Sequence, residues 1–102
     1  MSMREQIEEM LKDEPNDVFL RYSLAMEFEK EGRNEESLNL FAQLMKEEPP
    51  HVPAFFMSAQ QLVKLEREEE AKVILHDGIV QANQQGDLHA AGEMTGYLDM
   101  ID

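Results

Sequence analysis

Histidines and carboxylates are the first side chains to weigh for chemistry, because cysteine is absent from this 102-residue sequence. His51, His76 and His89 are the only histidines, and the expectation is that none has a partner at i+3 or i+4. A metal site needs ligands that converge and an outer shell that orients them; these three sit far apart in sequence, His51 in a proline-rich turn and His76 on the outer side of a helix. The carboxylates come in runs, Glu8-Glu9, Glu35-Glu36, Glu47-Glu48 and Glu68-Glu69-Glu70. Runs of this kind read as solvated faces and helix ends, where acids near an N-terminus gain from the helix dipole. No glycine-rich phosphate loop, Ser–His–Asp arrangement or dinucleotide fingerprint is present. The expectation is no enzyme, no cofactor and no metal.

What the chain carries instead of a reactive centre is a repeat. Val18–His51 is 34 residues long, and Val52–Gln85 repeats its pattern. Phe28 recurs as Leu62, Ser37 as Ala71, Phe41 as Leu75, Leu44 as Gly78 and Met45 as Ile79. Lys30 and Lys64, Arg33 and Arg67, and Glu35 and Glu69 keep the same step. A fixed period of this size predicts stacked helical hairpins, each unable to bury its apolar face alone.

Charge narrows the partners. Nine basic against 22 acidic residues leave a net charge of −13, and no Lys or Arg follows Lys72. Such a surface repels phosphate backbones and anionic lipid, so nucleic acid and membrane surfaces are poor candidates. The N-terminal Met-Ser-Met-Arg-Glu carries no apolar segment, and no run approaches a membrane span. The expectation is a soluble cytoplasmic protein, with 42% hydrophobic residues arguing against disorder.

Six helices and no strand are predicted. Ser2 and Glu5 have capping-box spacing, followed by Met3, Ile7, Met10 and Leu11 on one face. Adding 34 places these four on Ser37, Phe41, Leu44 and Met45, so the first helix reads as the second half of a repeat. Pro15 stops it, and Asn16 or Asp17 caps a second helix with Leu20, Leu24, Ala25 and Phe28 inward. Gly32 suits a C′ position, and Asn34 is placed to cap a third helix with Leu38, Phe41, Leu44 and Met45. After Pro49, Pro50 and Pro53, a fourth helix carries Phe55, Ala59, Leu62 and Val63. Glu66 stands where Gly32 stood, and Ala71, Ile74, Leu75 and Ile79 form the inner face of a fifth helix. Gln84 to Asp87 break the chain before a sixth, with Leu88, Ala91, Met94, Tyr97, Leu98 and Ile101.

These residues resemble the tetratricopeptide repeat, a 34-residue helix–turn–helix with a W-x2-L-G-x2-Y…A-x3-F…P pattern. Leu24-Ala25 stand for Leu-Gly, Phe28 for Tyr, Ser37 for the small residue, Phe41 for Phe and Pro49 for Pro. Arg21 departs from Trp, although Phe55 restores an aromatic in the next repeat, where Ser58 and Asn83 replace Leu and Pro. The last helix offers Leu88-x2-Ala91-Gly92-x2-Thr95 at a 33-residue step. The resemblance implies one all-α domain over 1–102, a right-handed superhelix of about six antiparallel helices. It comprises a half repeat at 1–15, full repeats at 18–51 and 52–85, and a terminal helix at 86–102. Ser37, Ala71, Ala25 and Ala59 fall where paired helices cross, and only short side chains let backbones approach there.

In this family the first helices of successive repeats line a concave groove that holds a peptide. By registration the groove positions are Phe19, Tyr22, Met26, Glu29 and Lys30, then Pro53, Phe56, Met57, Gln60, Val63 and Lys64. Phe19, Tyr22 and Met26 lie on a side distinct from the Leu20, Leu24, Phe28 stripe, and a second apolar face usually touches something else. That something is either a partner or the sixth helix, through Met94, Tyr97 and Leu98. Lys30 and Lys64 form either a basic ladder for a carboxylate or cations favouring helix C-termini. The Lys/Asn/Arg clamp with which one subgroup holds chaperone tails is absent, since Tyr22, Met26 and Met57 occupy its positions. The function implied is a protein-interaction module whose partner brings apolar anchors with basic flanks. The alternative is a homo-oligomerising module, a homodimer included, pairing through its end helices or apolar groove.

Overall fold

A computed structural model describes all residues, Met1 to Asp102. The chain is all-helical: α1 (Met3–Asp13), α2 (Val18–Lys30), α3 (Asn34–Met45), α4 (Val52–Lys64), α5 (Glu68–Gln84) and α6 (Leu88–Ile101), with no strand. It forms two compact units, Met1–Pro49 with α1 to α3 and Pro50–Asp102 with α4 to α6.

Local chemistry sets most of the helix ends. Ser2 Oγ accepts from Glu5 N at 3.1 Å while Glu5 Oε1 accepts from Ser2 N at 3.0 Å, a complete capping box on α1. Those bonds to the carboxylate hold Glu5 below the usual carboxylate range. Of the two residues expected to cap α2, Asp17 does so, accepting from Leu20 N at 2.8 Å. Asn34 does not cap α3. Arg33 occupies that position without a side-chain cap bond, and Asn34 is already helical. The turn explains the shift, because Gly32 at φ 78° closes α2 and leaves Arg33 as the joint between helices.

That turn is a Schellman motif, with Gly32 N–H on Glu29 O at 2.9 Å and Arg33 N–H on Phe28 O at 2.9 Å. The Arg33 guanidinium lies 4.6 Å from the Phe28 ring centroid, giving the motif its side-chain contact. The α4–α5 turn repeats both bonds, Glu66 N–H to Val63 O at 3.0 Å and Arg67 N–H to Leu62 O at 2.8 Å. Glu66 adopts φ 61° there, a conformation L-residues pay to enter. The α5–α6 turn repeats them again with Gly86 at φ 77°.

In the first unit Ile7, Leu24 and Phe28 form a buried cluster, flanked by Leu11, Leu20 and Leu40. Phe41 and Leu44 are fully buried. Ser37 Oγ donates to Ala25 O at 2.6 Å, which places the small residues at the α2–α3 crossing. In the second unit Leu75 and Met94 are fully buried, and Ala59 and Ala71 expose nothing. Burying a Leu, Phe or Met side chain contributes about 1.5–3 kcal/mol, so these few residues dominate each unit.

Several expected core positions lie elsewhere. On α1 only Ile7 is buried, while Met3 and Met10 are 56% and 49% exposed. Leu38, Ile74 and Ile79 are only half-buried, and Gly78 and Ala82 complete the inner face of α5 instead. Leu88, expected on the inner face of α6, is 71% exposed, leaving Ala91, Met94 and Leu98 to hold that helix. In each case helical periodicity identified an apolar stripe but could not say which part of it meets a neighbour.

Candidate functional site

The groove positions on α2 divide by environment. Phe19, 74% exposed, is the most open of the five phenylalanines. Tyr22 is half-buried and packs edge-on against Phe41, with ring centroids 5.8 Å apart, and burial pushes its phenol pKa up. Met26 and Glu29 are half-buried. Lys30 is exposed and reaches Glu27 at 2.9 Å, so its ammonium has a carboxylate within its own helix.

Around Phe19 the first unit forms an open cleft of about 390 Å³ lined by Met10, Asp13, Glu14, Asp17, Phe19 and Leu20. Its construction follows from the α1–α2 turn. Pro15 ends α1, Glu14 O accepts from Asp17 N–H at 3.2 Å, and the Asp17 cap starts α2 at once. The tight turn brings Met10 of α1 and Phe19 and Leu20 of α2 around one opening with the acidic residues Asp13, Glu14 and Asp17, the Asp17 carboxylate being held in the α2 cap. Apolar side chains and acidic residues thus line the same open cleft. Sequence reasoning assigned Met10 and Leu20 to the core and missed the cleft. The acidic turn Asp13-Glu14-Pro15-Asn16-Asp17 between apolar stripes was the available signal.

On α4, Phe56 is half-buried and edge-on to Tyr97 of α6, with centroids 5.5 Å apart. Tyr97 therefore covers Phe56 on α4. Met57, Gln60 and Val63 are half-buried, and Pro53 and Lys64 exposed. Met94 and Leu98, expected with Tyr97 to cover the Phe19, Tyr22, Met26 face of α2, are buried.

The histidines remain separate. His51, half-buried at the start of α4, has its imidazole pKa lowered by desolvation. His76 is exposed. Contrary to the expectation of no partner at i+3 or i+4, His89 lies 3.4 Å from Glu93 one helical turn on, both side chains exposed. No group of three or more His, Asp or Glu is arranged to hold a metal ion. No helix is long and apolar enough to cross a membrane. No protein-family model, curated protein or solved structure matches the chain.

Proposed function

We propose that this chain is a tetratricopeptide-like protein-interaction module, not an enzyme, that binds an apolar peptide or helix with Lys or Arg flanks. The observation that carries the reading is Phe19, 74% exposed and lining an open cleft with Met10, Leu20 and the acidic residues Asp13, Glu14 and Asp17. Exposed aromatics dominate binding hot spots, and Met10 beside it can repack around varied shapes. The 34-residue period supports the family part of the proposal, and the −13 charge supports the basic flanks.

A synthetic helical peptide with Leu at i, i+3, i+4 and i+7 and Lys at the other positions is a suitable probe. Its binding should weaken as salt rises, because screening removes the steering by the acidic residues. Phe19→Ala should weaken it by about tenfold or more, the loss of a central anchor, with helicity unchanged. A peptide with Glu for every Lys should not bind. Equal affinity for wild type and Phe19→Ala would overturn the assignment of the cleft.

A further inference from the structure

Two faces of the molecule are left open in a way that its own helix pairs complete. Within the first unit α3 sits on α2, with Ser37 against Ala25; within the second α5 sits on α4, with Gly78 against Phe55. Ser37, Ala25, Phe55 and Gly78 are all buried. The 34-residue step carries Ser37 back to Met3, and two steps carry Gly78 back to Met10, both on α1. The same step followed by the 33-residue step carries Ala25 forward to Gly92, and the latter alone carries Phe55 to Leu88, both on α6. All four counterparts are exposed.

Thus α1 presents the face that α3 and α5 use, and α6 presents the face that α2 and α4 use. Each does so while its other side is occupied. Ile7 of α1 is buried with Leu24 and Phe28 of α2, and Ala91, Met94 and Leu98 hold α6 in the second unit. The open strips also have the character of contact surfaces. Met3, Gln6 and Met10 on α1, and Leu88, Gly92, Thr95 and Gly96 on α6, carry no formal charge on a chain that is 30% charged. Charge depletion marks the core of an interface. A Cβ added at Gly92 or Gly96 would meet nothing within 4 Å, so the α6 backbone is open to close approach by another helix.

We propose that α1 of one chain packs on α6 of a second copy, with Met3 over Gly92 and Met10 against Leu88, reproducing between copies the pairing made within each unit. The contact is heterologous: the surface used on one copy differs from that on the other, so assembly continues head to tail instead of stopping at a two-fold dimer. Met3 is long where Ser37 is short, and Gly92, with nothing within 4 Å of an added Cβ, leaves room for it. Acidic residues flank both strips, among them Glu9 and Asp13 on α1 and Glu93 and Asp99 on α6. Repulsion between them makes the assembly weak at low ionic strength and stronger as salt screens it. The proposal rests on the internal repeat, and it shares Met10 with the Phe19 cleft.

Sedimentation velocity on the 102-residue chain tests it, up to millimolar protein in high salt. The mass should rise from the 11.8 kDa of one chain, past that of a dimer, without a plateau. Gly92→Gln blocks the α6 strip while improving helix propensity, and Met3→Glu blocks the α1 strip with an acid in a helix first turn. Each variant alone should remain a monomer. An equimolar mixture should form a one-to-one dimer, because each variant keeps the strip the other has lost. A wild type that stays at 11.8 kDa under these conditions overturns the proposal. So do single variants that still assemble, or a mixture that remains monomeric with both variants retaining wild-type helicity.

Discussion

The two units carry the same period but solve the same crossing in opposite ways. Leu44 on α3 and Gly78 on α5 are 34 residues apart and both buried, yet one is large and the other has no side chain. The difference is offset on the facing helix, where Arg21 of α2 becomes Phe55 of α4. In the first unit Arg21 turns to Glu47 at 3.0 Å. In the second, Phe55 fills the space beside Gly78: a Cβ built on that glycine falls 2.7 Å from Phe55 Cβ and 2.7 Å from Met94 Sδ. A buried position of the repeat can therefore change residue size where its neighbours change with it, as close-packed interiors require. The polar connections keep their step more strictly. Arg33 with Glu36 and Arg67 with Glu70 make two-bond ion pairs at 2.6–2.8 Å, and both glutamates are held below the usual carboxylate range by those arginines.

The sharpest break of this comparison is Leu44→Ala, which should destabilise by about 2–5 kcal/mol through the cavity left at a fully buried site. Its counterpart Gly78→Ala should cost about 1–3 kcal/mol in spite of better helix propensity, because the new methyl runs into Phe55 Cβ. Urea denaturation measures both. If Gly78→Ala stabilises, the second unit is not packed tightly there and the volume exchange fails as an explanation.

The turns sharpen the contrast at smaller scale. Gly32→Ala should cost about 1–2 kcal/mol, since φ 78° is unfavourable for any residue with a Cβ. Glu66→Gly should stabilise by about 0.5–1 kcal/mol, the relief of φ 61° less the extra entropy of unfolded glycine. Thermal unfolding of the pair, with opposite signs of shift, is the expected result.

The smallest effect concerns the helix starts, where Asp17 and His51 are 34 residues apart. Asp17 caps α2 with its side chain, whereas His51 makes no such cap on α4. The His51 imidazole has a lowered pKa because burial disfavours its charged form. The unfolded chain then binds that proton more readily, so stability is fully present above the ordinary value of 6.5 and declines as pH falls below it. His51→Gln should flatten the stability profile between about pH 7 and pH 5. An unchanged slope would remove His51 as its source.

The all-helical class, the six helices and the Ser2, Asp17 and Gly32 end signals were legible in the sequence because each depends on residues within one turn of one another. The period likewise showed which residue types recur, again without reference to distant contacts. What tertiary structure alone decided is the fate of each apolar side chain on a stripe. Ile7 and Met10 obey the same periodicity, yet only the first is buried. Tyr22 and Phe19 both read as groove, yet one packs on Phe41 while the other lines an open cleft with acidic residues. Leu88 follows the stripe of α6 and still faces outward. A helix's own sequence specifies its faces through the 3.6-residue turn, but whether a face is covered depends on where another helix lies, and that position is set by the summed packing of side chains remote in sequence.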